Sequence, residues 1–157
     1  LRGNVETRLR KAEAGDVDAT LLAYAGLKRL GLAHRATALL DIDDFLPAVG
    51  QGAIGLTARA NDAATRLSFG RIVDAQTGAA LAAERAFLAV LDGSCRTPIA
   101  GHARVVAGQV ALRGMVYRPD GSEVFEVETA GAAADAQRLG AEAGRELLGR
   151  LPAGVLA

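Results

Sequence analysis

The chain has 157 residues, half of them hydrophobic, with 18 Lys and Arg balancing 18 Asp and Glu. Zero formal charge removes the basic field that nucleic acid or an anionic membrane surface would call for, and no apolar run approaches the roughly 20 residues of a membrane span. One cysteine excludes an internal disulfide framework, and with only His34 and His102 beside it no zinc set can be assembled, so no metal is expected.

Leu1 to Val5 reads as the end of a strand running into a helix from Glu6 to about Ala14, closed by Gly15. Asp18 precedes the apolar run 19–25, whose length suits a buried strand; Gly26 then leads into a short helix through Leu27, Leu30 and Leu32. Strands alternating with helices predict a parallel sheet with covering helices. The fold class expected here is α/β, half of a doubly wound domain like that of solute-binding proteins. The chain opens inside this pattern, which reads as a fragment whose sheet partners lie upstream. No signal peptide is seen, and a soluble cytoplasmic protein is expected.

Gly50, Gly52 and Gly55 surround Gln51 before a short strand expected from Ile54 to Thr57. Asn61-Asp62 can cap a helix over 63–69, and 70–74 reads as a hinge. A helix from Ala75 to Leu91 follows, ending at Asp92-Gly93 because glycine tolerates the left-handed conformation. Pro98 blocks helix re-entry and biases Thr97 to an extended form, which places Cys95 on a loop between a helix end and a strand start. Val110, Leu112, Gly114 and Val116 then alternate with Ala111, Arg113, Met115 and Tyr117. Pro119-Asp120-Gly121-Ser122 is a turn by composition, and Phe125, Val127 and Thr129 share one face of the next strand. A last helix from Ala132 to Leu151 repeats Ala136, Leu139, Ala143, Leu147 and Leu151 at helical spacing. These elements predict a small α+β domain, a three-stranded antiparallel sheet with helices on one face.

On the residues alone, Cys95 is either a thiol packed as a small hydrophobe or one that bonds covalently to something else. Arg2 and Arg29 fall at the carboxyl ends of predicted strands, where parallel sheets bind ligands, and Arg8 can share that crevice. Guanidinium groups clamp carboxylates through paired hydrogen bonds. Gly50-Gln51-Gly52 is either a simple turn or a backbone that approaches a ligand closely, and Asn4 divides in the same way. His34 and His102 lack ligand spacing, and Glu84-Arg85 reads as an ordinary helix pair.

The run Leu91-Asp92-Gly93-Ser94-Cys95-Arg96-Thr97-Pro98-Ile99-Ala100 resembles the cofactor-attachment loop of the porphobilinogen deaminase (hydroxymethylbilane synthase) family. Leu1-Arg2-Gly3-Asn4-Val5-Glu6-Thr7-Arg8-Leu9, Ala25-Gly26-Leu27-Lys28-Arg29-Leu30-Gly31-Leu32 and Leu46-Pro47-Ala48-Val49-Gly50-Gln51-Gly52-Ala53-Ile54-Gly55 are similar to the family in the same order. The resemblance implies a dipyrromethane cofactor held by Cys95 through a thioether bond. It implies polymerisation of porphobilinogen with release of ammonia, in tetrapyrrole (haem, chlorophyll, cobalamin) biosynthesis. Arg2, Arg8 and Arg29 would then bind the carboxylates of porphobilinogen and of the growing polypyrrole, with Asn4, Gly50, Gln51 and Gly52 contacting the cofactor.

By the same resemblance, residues 1–46 belong to a second α/β domain, 47–70 return to the first, and 71–157 form the carboxy-terminal domain carrying the cysteine. The family's catalytic aspartate finds no match here and is expected upstream, so the fragment alone is expected to be inactive and the full-length protein a monomer without nucleic-acid or membrane partners. The alternative is a non-catalytic anion-binding module in which Cys95 stays a free thiol.

Overall fold

The three-stranded antiparallel sheet expected after the cysteine loop is realised as β1 (Ile99–Val106), β2 (Gln109–Tyr117) and β3 (Val124–Ala132), antiparallel and in the order β1-β2-β3. The computed structural model describes residues 1–94 and 97–156. Register is set by the turns. Ala107 and Gly108 both take positive φ, 49° and 76°, as a two-residue hairpin turn requires, and Val106 pairs with Gln109 across it. At the second turn Gly121 N–H donates to the Arg118 carbonyl and Asp120 accepts from the Ser122 amide, as the composition predicts.

Helix α4 (Ala75–Val90) lies against β1, and α5 (Ala136–Arg150) lies against β3 and α4, which puts both on one face of the sheet. Ala83, Phe87, Leu91, Val110, Leu112, Val116, Val127, Leu139 and Leu147 are buried between the layers. Glycines decide how closely the layers approach. Phe87 is fully buried over Gly114, where a Cβ would stand 2.4 Å from its ring, so the strand keeps a gap for the aromatic. On α5, Gly140 lets the helix rest on the Ala83 carbonyl and Gly144 on that of Phe87.

The helix ends follow from short-range hydrogen bonds. Asp74 caps α4, its carboxylate accepting from the Thr77 amide; that bond, with a second to the Thr77 side chain, holds its pKa below the ordinary carboxylate value. At the other end the left-handed residue is Asp92, with φ 50°, and not Gly93. Gly93 serves packing instead: a Cβ there would crowd the terminal methyls of Leu88 and Ile99, which would have to move. The last helix starts later than its periodicity suggests, because residues up to Ala132 complete β3 and Ala133–Asp135 form a single 3-10 turn.

The chain divides into two units, Leu1–Asp44 and Phe45–Ala157. The first holds α1 (Val5–Glu13), α2 (Tyr24–Arg29) and a 3-10 turn at Ala33–Arg35, with Arg35 paired to Glu13. Three strand expectations are corrected here. Residues 1–5, 19–25 and 54–57 are not strands; Leu21 is 64% and Ile54 89% exposed. A strand exists only through a ladder partner, and the ladders among the described residues are those of β1 to β3, which leave these apolar runs unpaired. Helix α3 (Ala63–Phe69) forms where expected, with Asp62 accepting from the Thr65 amide as its cap. No described helix is long and apolar enough to cross a membrane.

Gly140→Ala tests the helix contact. Alanine gains about 1 kcal/mol of intrinsic helix propensity over glycine, but here its Cβ would meet the Ala83 carbonyl oxygen at 2.0 Å. Crowding of that kind costs about 1–3 kcal/mol or more, so a net loss of stability is expected by denaturant unfolding. Gly78→Ala on α4, with open space around the site, should raise stability by about 0.5–1 kcal/mol.

Candidate functional site

One acidic side chain lies on the apolar stripe of α4. Glu84, beside Ala83 and one turn from Phe87, is only 6% exposed. A buried carboxylate is tolerated where hydrogen bonds replace water, and Glu84 receives one on each oxygen. Oε2 accepts from the Gly50 amide at 2.7 Å, and Oε1 from the Ala103 amide at 2.8 Å. His102 Nδ1 lies 3.5 Å from Oε1.

These bonds close the outer edge of β1. Three of its N–H groups that point away from β2 find partners: Ile99 donates to the Thr97 carbonyl at 2.8 Å, Gly101 to the Pro47 carbonyl at 2.9 Å, and Ala103 to Glu84. The segment from Leu46 to Gly50 straddles the strand. Leu46 is buried with Ala100 and Met115 on the sheet face away from the helices. Val49 packs into the main core, next to Gly101, where a Cβ would meet it at 3.0 Å.

The Gly50-Gln51-Gly52 turn hangs from this anchor. Gly50 and Gly52 take φ of 73° and 85°, the left-handed region where a side chain is strained. Gln51 N–H donates to the Ala48 carbonyl and Ala53 N–H to that of Gly50. The Gly50 amide is therefore committed to Glu84, while the Gln51 side chain is exposed and Gly52 faces open space.

On the loop after α4, Ser94 and Thr97 are tied to each other: the Ser94 amide donates to Thr97 Oγ1 at 3.0 Å, and the Thr97 amide to the Ser94 carbonyl at 3.1 Å. Cys95, the expected attachment residue, lies outside the described residues.

In the first unit, Asn4 is the cap of α1, its Oδ1 accepting from the Thr7 amide at 2.9 Å. Half-buried Arg8 donates from Nε to the Gly3 carbonyl at 3.0 Å, a bond that uses one of five guanidinium donors and brings Arg8 next to the residue that follows Arg2. Arg2 is exposed and stands before a helix rather than at a strand end. Arg29 is exposed at the last position of α2, and Lys28 on the same helix places Nζ 5.2 Å from the Tyr24 ring centre. The strand-end crevice expected around Arg2 and Arg29 is thus replaced by two helix termini, for the reason already given: no ladder partner.

Residues 1–67 match the family model described as "Porphobilinogen deaminase, dipyromethane cofactor binding domain", and residues 79–149 match "Porphobilinogen deaminase, C-terminal domain". Among curated relatives, the porphobilinogen deaminase of Nitrobacter hamburgensis is 57% identical over 94% of this chain and 46% of its own length. The Paracoccus denitrificans protein of the same name is 51% identical over 97% of this chain and 49% of its own. The Syntrophobacter fumaroxidans protein is 49% identical over 94% and 48%. The chain belongs to the porphobilinogen deaminase family. It spans about half the length of the curated relatives it matches.

Glu84 was read in the sequence as half of an ordinary helix pair, and its role was missed. The signal was present, since an acidic residue between Ala83 and Phe87 on a stripe otherwise apolar must find donors or be excluded from the core.

The cap role of Asn4 is separable from any ligand contact. Asn4→Ala should destabilise α1 by about 1 kcal/mol, seen as faster hydrogen exchange at the Thr7 amide, while Asn4→Asp should keep that amide protected.

Proposed function

We propose that the full-length protein is a hydroxymethylbilane synthase that polymerises porphobilinogen, with release of ammonia, on a dipyrromethane bound to Cys95. What carries the reading is identity of 57% over 94% of the chain to a porphobilinogen deaminase, with the cofactor-domain match covering residues 1–67. The sole cysteine, between a helix end and a strand start, supports Cys95 as the attachment point.

The residues present fit an organic polyanion. Arg2 and Arg29 present exposed guanidinium groups, and Arg8 is held in orientation by the Gly3 carbonyl, which suits a planar fork gripping acetate and propionate groups. The open face of the glycine turn, with Gln51 exposed and nothing within 4 Å of the Gly52 Cβ position, suits close approach of a ring. Asn4, Gly50, Gln51 and Gly52 are assigned to cofactor contacts, and Arg2, Arg8 and Arg29 to the carboxylates of substrate and polypyrrole. When bound, the dipyrromethane supplies the nucleophilic pyrrole end from which the chain grows. The residues of this chain bind and orient it; the catalytic aspartate belongs to the part of the family's length not matched here, so residues 1–157 alone are expected not to turn over.

Residues 1–46 are assigned to the second domain, 47–70 to the return into the first, and 71–157 to the third. The gap between the two family matches, 67 to 79, supports the later boundary. In the full-length protein the α/β half is assigned the doubly wound architecture, its strands forming on ladder partners outside residues 1–157, and the protein a monomeric state in the cytoplasm, where Cys95 stays reduced until it takes the cofactor.

Mass spectrometry of the full-length protein tests the attachment. The wild type should carry a dipyrromethane increment and give the colour reaction of pyrroles with an acidic aldehyde reagent, and Cys95→Ser should lose both. An unmodified wild type would instead overturn the attachment and leave Cys95 a free thiol, as the non-catalytic anion-binding alternative expects.

Arg8→Leu should lower kcat/KM about ten- to a hundredfold, the worth of a charged hydrogen bond of about 1.5–3 kcal/mol. Arg10→Leu, on the exposed side of α1, should have little effect, and Arg8→Lys should recover only part. Equal and mild effects at positions 8 and 10 would refute the clamp.

A further inference from the structure

We infer that Glu84 is a positioning residue for cofactor capture, an inference that rests on the reading of Cys95 just given. One buried carboxylate reaches two backbone sites that are far apart in sequence: the Gly50 amide at 2.7 Å and the Ala103 amide at 2.8 Å. The first opens the glycine turn assigned to the cofactor. The second lies on β1, the strand into which the cysteine loop runs, and Glu84 itself is on α4, the helix from which that loop departs. Glu84 thereby ties the turn to the helix that leads into the loop and to the strand that follows it. The Gly101 to Pro47 bond and the packing of Leu46 and Val49 hold the same segment, so the carboxylate sets the last increment of position at Gly50 rather than the attachment of the segment as a whole.

The geometry makes the carboxylate hard to replace. Both oxygens accept from N–H groups, whereas a glutamine offers one acceptor and one NH2, so one of the two amides would face a donor. Aspartate keeps two acceptors but is shorter by one methylene, and can serve one amide well and the other poorly.

The test uses the full-length protein, stripped of cofactor and then supplied with porphobilinogen. Wild type, Glu84→Gln, Glu84→Asp and Val127→Ala are compared for the rate at which the dipyrromethane mass appears on Cys95. Val127 is a core residue of β3 away from the turn, and its truncation serves as a control for lost stability. Loading should slow about ten- to a hundredfold in Glu84→Gln, less in Glu84→Asp, and stay near wild type in Val127→Ala after comparison at equal distance below each midpoint of unfolding. Hydrogen exchange should accelerate at Gly50 and Ala103 in Glu84→Gln while β2, β3 and α5 keep their protection. Loading no slower in Glu84→Gln than in Val127→Ala overturns the inference, as does faster exchange spread evenly over the sheet. Should Glu84→Gln not accumulate as folded protein, Glu84→Asp carries the same comparison. A wild type that never acquires the mass on Cys95 overturns the attachment reading and this inference with it, a result distinct from a loaded wild type with indifferent Glu84 variants.

Discussion

The carboxylate of Glu84 is the constraint on which the arrangement of the carboxy-terminal unit depends. Burying it beside Phe87 would be unfavourable without partners, and its partners are main-chain amides, which cannot be supplied by a change of side chain elsewhere. The chain has to bring Gly50 and Ala103 to the same spot. With the Gly101 to Pro47 bond and the packing of Leu46 and Val49 holding residues 46–50 to β1, the carboxylate sets the position of Gly50 against α4 and the strand. Small residues allow the layers to approach: Gly114 under Phe87, and Gly140 and Gly144 where α5 meets the α4 backbone.

The first unit is organised differently. Its helices are short, its buried hydrophobic residue is Leu27, and it has local hydrogen bonds from Thr7 to Asn4 and from Arg8 to Gly3, with a longer-range ion pair joining Arg35 to Glu13. What it offers a ligand is charge at helix ends, with Arg8 oriented by a backbone carbonyl. What the second unit offers is a turn of fixed shape.

Much of the second unit was legible in the sequence because its signals are local. The alternation from Val110 to Tyr117, the Pro119–Ser122 turn and the repeat from Ala136 to Leu147 each report a face or a turn that neighbouring residues alone determine. The strands expected at 1–5, 19–25 and 54–57 failed for the opposite reason: an apolar run states that burial is available but not that a partner strand exists. The left-handed position expected of Gly93 falls on Asp92, and the packing of Gly93 against Leu88 and Ile99 is invisible from composition at the helix end. Among the candidate residues, Asn4 caps α1 and the Gly50 amide is bonded to Glu84. The first bond is local, three residues along the chain; the second joins residues 34 apart and cannot be read from neighbouring positions.

The path of Leu46 to Val49 also governs how this domain meets other copies of itself. A strand at the margin of a sheet is a template on which a foreign strand can add, and such addition is a common beginning of aggregation. Here the template is occupied by the protein's own chain at Pro47, and with Leu46 on one face of the sheet and Val49 on the other the occupant cannot be displaced across the edge without one side chain meeting the strand. Addition of a foreign strand to this part of β1 therefore requires the segment to be lifted away first.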